Sequence, residues 1–194
     1  MPSSEQVAKF WRELSALLNA LPANFDSPET IQEIDRLVPQ VGPFAWEIGP
    51  DEAAGSFFAL SPAGDPEALK LTRQMLEQAP SLPGWSFHPA KPARSCWGIV
   101  QFAGPDGSFH EVNAEGWRFV HLRFPDGETE LLVEYGETSG LDEEMAYVVA
   151  LLALDGLLGE ERRIEQLPDV EVFTRLDERF AAHGRPLTEL LSRL

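Results

Sequence analysis

From Met145 to Leu154 the chain reads Met, Ala, Tyr, Val, Val, Ala, Leu, Leu, Ala, Leu, without a charge, a proline or a glycine. Alanine and leucine favour the helix, and a helix that is apolar all round is one that its fold encloses. A membrane span is the alternative, and length decides against it. Ten residues rise about 15 Å, whereas a bilayer core is about 30 Å thick. The flanks carry helix punctuation. Ser139 is expected as the cap with Asp142 as its capping-box partner, and Asp142, Glu143 and Glu144 set negative charge against the positive end of the helix dipole. Gly156 and Gly159 read as stop signals, Gly159 the better of the two. Met145, Val148, Val149, Leu151, Leu152, Leu154, Leu157 and Leu158 are all expected inside.

Around this helix the chain supplies amphipathic elements. Val7, Phe10, Trp11, Leu14, Leu17, Leu18 and Leu21 recur at the spacing of one helical face, and Pro22 ends the run. A second helix opens at Ser27-Pro28, carries Ile31, Ile34, Leu37 and Val38, and stops at Pro39. Phe44, Trp46 and Ile48 alternate as a strand does, and residues 56–61 form the next strand. Asp65 caps a third helix, with Leu69, Thr72, Met75, Leu76 and Ala79 inward and Pro80 at its end. Trp85 and Phe87 mark a short strand, and residues 88–96 an exposed loop.

Residues 97–103, 108–113, 117–124 and 128–135 read as four successive strands, with Asp106-Gly107 and Asp126-Gly127 as turn dipeptides. A two-residue turn at Asp126-Gly127 places Val120 opposite Val133, Leu122 opposite Leu131 and Arg123 opposite Glu130. Residues 160–163 read as a solvated charged run. Val170, Val172 and Phe173 suggest a short strand, and Pro186 to Leu194 a terminal helix. The expected fold is α+β: an antiparallel β-meander packed against a buried central helix, with further N-terminal and C-terminal helices. It is expected as a single domain over 1–194, comprising a helical pair at 4–38, a mixed part at 44–88, the meander at 97–135, the central helix at 139–158 and a C-terminal segment at 168–194.

Charge bounds the function. Fifteen Lys and Arg against 32 Asp and Glu give a formal net charge of −17. Nucleic-acid binding needs a basic face, so none is expected; a cationic protein partner is compatible, as is a homo-oligomer. Cys96 is the one cysteine, which excludes an internal disulfide. No basic, apolar leader opens the chain, and no apolar run is long enough to span a membrane, so a cytoplasmic protein without membrane contact is expected.

Leu141–Glu144, Leu154–Glu160, Phe10-Trp11, Trp46–Gly49, Leu60–Gly64, Ala79-Pro80 and Gly84–Phe87 together resemble a family of uncharacterised bacterial proteins, an α+β domain of unknown function. The likeness runs along most of the chain. Its motifs are caps, turns and core aromatics, and the resemblance implies no catalytic residues.

Candidate chemistry is sparse. His88, His110, His121 and His183 are too scattered for a metal motif. A two-residue turn at Glu115-Gly116 sets His110 opposite His121, whereas a four-residue loop sets His110 opposite Phe119; zinc at such a pair would need a third ligand. Asp142, Glu143 and Glu144 suit acid–base work but are already explained as helix caps. Asp155 sits at the negative end of a helix dipole, where a carboxylate is disfavoured unless a neighbour donates to it. Cys96, near Lys91 and Arg94, lacks a histidine arrangement. No nucleophile elbow, phosphate loop or dinucleotide fingerprint occurs. Trp97, Phe109, Trp117 and Phe119 are the candidate interaction surface, unless helices cover them. These features point to a non-enzymatic acidic interaction protein without cofactor. The alternative is a small metal-dependent hydrolase using His110, His121 and nearby carboxylates.

Overall fold

A computed structural model describes residues 2–51, 55–103, 107–137 and 140–194. The structure is mixed α+β, with 41% of the described residues helical and 25% in strands, the strands lying in several small sheets. It divides into two compact units, residues 1–91 and 92–194, each with its own apolar core.

In the first unit, α1 (Ser4–Ala20) is closed at its start by the reciprocal box the sequence encodes: Gln6 N–H donates to Ser3 Oγ and Ser3 N–H to Gln6 Oε1. Its apolar face buries Val7, Phe10, Trp11, Leu14 and Leu18. The indole of Trp11 would be costly to bury unpaired, and its N–H donates to the Met75 carbonyl at 2.9 Å. α2 (Pro28–Leu37) follows. β1 (Ala45–Asp51) and β2 (Gly55–Ser61) are antiparallel. α3 (Pro66–Leu76), whose cap is Asp65, carries the chain over so that β3 (Trp85–His88) lies parallel to β2.

The second unit begins with β4 (Ile99–Ala103), β5 (Phe109–Asn113), β6 (Arg118–Arg123) and β7 (Thr129–Glu134). Then come α4 (Glu143–Leu158), α5 (Glu160–Gln166), β8 (Asp169–Phe173), α6 (Glu178–Ala181), β9 (Arg185–Pro186) and a 3-10 turn at Leu187–Ser192. The expected meander does not run through. β4 and β5 form a two-stranded sheet, while β6 and β7 belong to a separate sheet ordered β8-β7-β6-β9. The edge of β6 that β5 would need is occupied only at its start. β9 pairs there with Arg118 and Phe119, and Leu187 N–H donates to the Trp117 carbonyl at 2.8 Å. The terminal helix expected from Pro186 is accordingly a strand residue followed by the 3-10 turn.

The β6–β7 register also differs from expectation, by one residue. Phe119 faces Val133, Val120 faces Leu132 and His121 faces Leu131. The loop is Pro125-Asp126-Gly127: Gly127 N–H donates to the Phe124 carbonyl, and Phe124 N–H to the Glu128 carbonyl. Proline pre-sets the first turn position and Gly127 takes φ +92°, giving a three-residue hairpin loop in place of a two-residue one. A slip of one residue exchanges the faces. Here both faces are apolar: Phe119, Leu131 and Val133 enter the main core, and Val120 and Leu132 pack on Leu176, Leu122 and Phe180. The other turn dipeptide, Asp106-Gly107, falls partly outside the described residues.

α4 contributes Ala146, Val149, Ala150, Ala153, Leu154, Leu157 and Leu158 to the main core. Its cap is Asp142, three residues later than expected, with Met145 N–H donating to the carboxylate at 2.8 Å; Ser139 lies outside the described residues. The helix is not enclosed on every side. Tyr147 and Val148 are 43% and 41% exposed, so Val148 leaves the expected core. Gly156 is not a stop but an interior residue where Trp97 comes close: an added Cβ would lie 3.0 Å from the Trp97 Cβ. The helix ends at Gly159. The charged run after it is α5, with Glu160 and Arg163 buried. Arg163 Nε donates to Asp155 Oδ1 at 2.6 Å, which supplies the donor that a carboxylate at a helix end requires.

Candidate functional site: an acidic groove beside a free sheet edge

A groove of ≈ 590 Å³ runs between α4 and β8, lined by Glu143, Glu144 and Tyr147 on one side and by Val170 to Phe173 on the other. Helix chemistry fixes the first side. Because Asp142 caps α4, Glu143 and Glu144 fall in its first turn, where the dipole stabilises carboxylates. Tyr147 stands four and three residues further on, the spacing that brings side chains together on a helix surface. Strand topology fixes the other side. β8 is the outer strand of its sheet and pairs with β7 alone among the described residues, so its far edge presents backbone donors and acceptors. Val172 is buried in the core while Glu171 points to solvent.

Among the described residues, three carboxylates and no cation line the groove. Acid also accumulates just behind it. Glu130 of β7 has Asp169 of β8 as its neighbour in register, with Glu171 close by. Burial first, then Glu171 and Asp169, push the Glu130 carboxyl above its ordinary range. Like charges on adjacent strands destabilise a sheet, and such a breach of local rules is typical of a surface kept for a partner.

The residues singled out from sequence are dispersed. Trp117 and Phe119 are core residues, 4% and 2% exposed, and Trp97 packs against the same core. Phe109 alone of the four is open, at 71%. His110 and His121 do not face one another, because their strands lie in different sheets. His110 stacks on Phe102 with ring centroids 5.2 Å apart, and its Nε2 lies 2.6 Å from Ser108 Oγ. Among the described residues no group of three His, Cys, Asp or Glu is placed to hold a metal ion. Cys96 is exposed.

His121 is placed unusually. Its Nε2 is shut from solvent without a hydrogen-bond partner, and burial, aided by Arg123, holds its pKa below the ordinary 6.5. The sign follows from linkage. The unfolded chain takes up the proton first, so stability falls as pH drops below about 6.5 toward the folded value. Replacing His121 by Gln removes this term. In urea titrations the wild-type protein should lose stability relative to His121→Gln between about pH 7.5 and 5.5, with a constant difference at higher pH.

One constellation escaped sequence reading. Ser86 and His88 share a face of β3, and Asp51 reaches them from the end of β1. Ser86 Oγ donates to Asp51 Oδ2 at 2.5 Å and lies 3.1 Å from His88 Nε2, which is itself 3.7 Å from Asp51 Oδ2. The serine and the carboxylate thus converge on one ring nitrogen. A catalytic relay needs them on opposite nitrogens, so this is a polar clasp and not a nucleophile. The Ser-x-His spacing was legible as one strand face; the position of Asp51 depends on β1 pairing and was not.

No protein-family profile, curated protein or solved structure matches the chain.

Proposed function

We propose that this protein is a non-enzymatic interaction module that takes a basic, extended segment of a cytoplasmic protein partner along the free edge of β8. The observation that carries the reading is the coincidence of three features in one groove: a strand edge unpaired among the described residues, the exposed ring of Tyr147, and three carboxylates with no cation among the described lining residues. Strand addition supplies backbone hydrogen bonds. Lysine or arginine side chains of the added segment reach Glu143, Glu144 and Glu171, and its apolar positions cover Tyr147. Charge complementarity then sets partner choice and association rate more than affinity itself. A second copy of the chain is a poorer occupant, because two molecules of charge −17 repel.

The test is a fluorescence-anisotropy titration with a labelled peptide alternating lysine and valine, at low and high salt. Binding should be salt-sensitive and should weaken at least about tenfold in Glu143→Lys/Glu171→Lys, since two attractive charges become repulsive. Equal binding by the wild type and the double variant would overturn the reading.

A further inference from the structure

The sheet that carries the acidic edge has an opposite edge of reversed character. β9 pairs with β6 only at Arg118 and Phe119, so β6 has no strand partner on that side from Val120 to Arg123 among the described residues. Along this stretch runs a groove of ≈ 540 Å³. Arg123 enters it from β6, Arg179 and His183 from α6 and the turn after it, Arg185 from β9 and Arg193 from the chain beyond the 3-10 turn. His121 lines it as well, and the remaining lining is apolar, chiefly Leu122 and Phe180. Among the described residues no carboxylate lines it, although Asp and Glu outnumber Lys and Arg by 32 to 15 in the chain.

The cations are only partly neutralised. Arg179 Nε lies 3.6 Å from an Asp177 carboxylate oxygen, and an Arg193 guanidinium nitrogen 4.0 Å from a Glu189 oxygen. Both pairs are solvent-exposed, the class of ion pair that contributes little. Arg123 donates to the Arg193 carbonyl at 3.0 Å, which ties two of the cationic segments together and leaves both guanidinium charges in place. The Arg185 side chain makes no hydrogen bond or ion pair among the described residues. The Nε2 of His121, a residue that also lines the groove, is buried without a hydrogen-bond partner among the described residues.

We infer that this groove is a binding site for a small phosphorylated ligand, held through its phosphate by Arg123, Arg179, Arg185 and Arg193, with its organic part against Leu122 and Phe180. The choice of phosphate rests on geometry. One bidentate arginine satisfies the two oxygens of a carboxylate, whereas guanidinium groups arriving from several elements suit an anion with oxygens in several directions and up to two charges. The volume suits a ligand of metabolite size, since such sites run to about 300–1,000 Å³ with apolar walls and few polar groups. The site stands apart from the acidic groove and does not rest on the function proposed there.

The full-length protein should be titrated calorimetrically with inorganic pyrophosphate at low ionic strength, with acetate as the carboxylate control and the histidine ring signals followed by NMR. Pyrophosphate is expected to bind and to shift the His121 and His183 resonances while acetate does neither. Arg185→Glu and Arg179→Glu, both solvent-exposed positions whose folding is checked by circular dichroism, should each weaken binding about tenfold or more. Lys70→Glu, on α3, should leave it unchanged. Absence of pyrophosphate binding, acetate binding as tightly, or binding indifferent to both arginine reversals would each overturn the assignment.

Discussion

Replacing Asp155 by alanine is expected to destabilise the protein by about 3–5 kcal/mol, the cost of leaving one partner of a buried ion pair behind. Asp155 and Arg163 are each 7% exposed at the side chain and meet at 2.6 Å. The carboxylate sits near the C-terminal end of α4, where the dipole opposes it and the Arg163 guanidinium offsets that. Removal leaves the buried Arg163 guanidinium without this partner. The loss should appear as a lower urea midpoint with an unchanged slope. Asp155→Leu with Arg163→Met should lose much less than Asp155→Ala, because replacing a buried pair by apolar side chains is often close to neutral. A double variant as unstable as the single one would mean that Arg163 is not what makes the deletion costly.

The second large effect comes from adjacent residues of one helix. Val149 is fully buried and Val148 is 41% exposed. Val149→Asp drives a carboxylate into the core shared with Phe119, Leu131 and Val133; a loss above about 4 kcal/mol is expected, enough to leave the chain unfolded or insoluble. Val148→Asp, one residue earlier, should change stability by no more than about 0.5 kcal/mol beyond the small difference in helix propensity. Thermal melts of the two variants decide it. A soluble, cooperatively melting Val149→Asp would show that α4 does not anchor this core.

Local chemistry was legible in the chain where the residue alone decides. Trp11 and Leu14 announce the inner face of α1, Asp65 announces the start of α3, and the apolar decade announces α4. The rest was settled at a distance. Pro125 lengthened a turn by one residue and turned His121 toward Leu131, although Asp126-Gly127 by itself prescribes the shorter loop. Arg185-Pro186 pairs with the start of the β6 edge while β5 pairs with β4 alone, and which segments pair is a matter of competition between stretches far apart in sequence. For the aromatics the chain left two outcomes open, exposed or covered, and Trp117 and Phe119 take the covered one because both faces of their sheet are packed. Of the acidic groove, Glu143 and Glu144 were visible as helix-start residues; their meeting with Glu171 required knowing that β8 lies at the edge.

The sheet order β8-β7-β6-β9 also bears on how the molecule is made. The β6–β7 hairpin is oily on both sides, yet the strand that flanks β7 is translated about forty residues after it, and the one that flanks β6 later still. A nascent chain emerging from the ribosome therefore carries a two-edged sticky ribbon until residues 169–173 and 185–190 follow. Unpaired edges and exposed apolar surface of this kind are what make partly folded chains prone to aggregate.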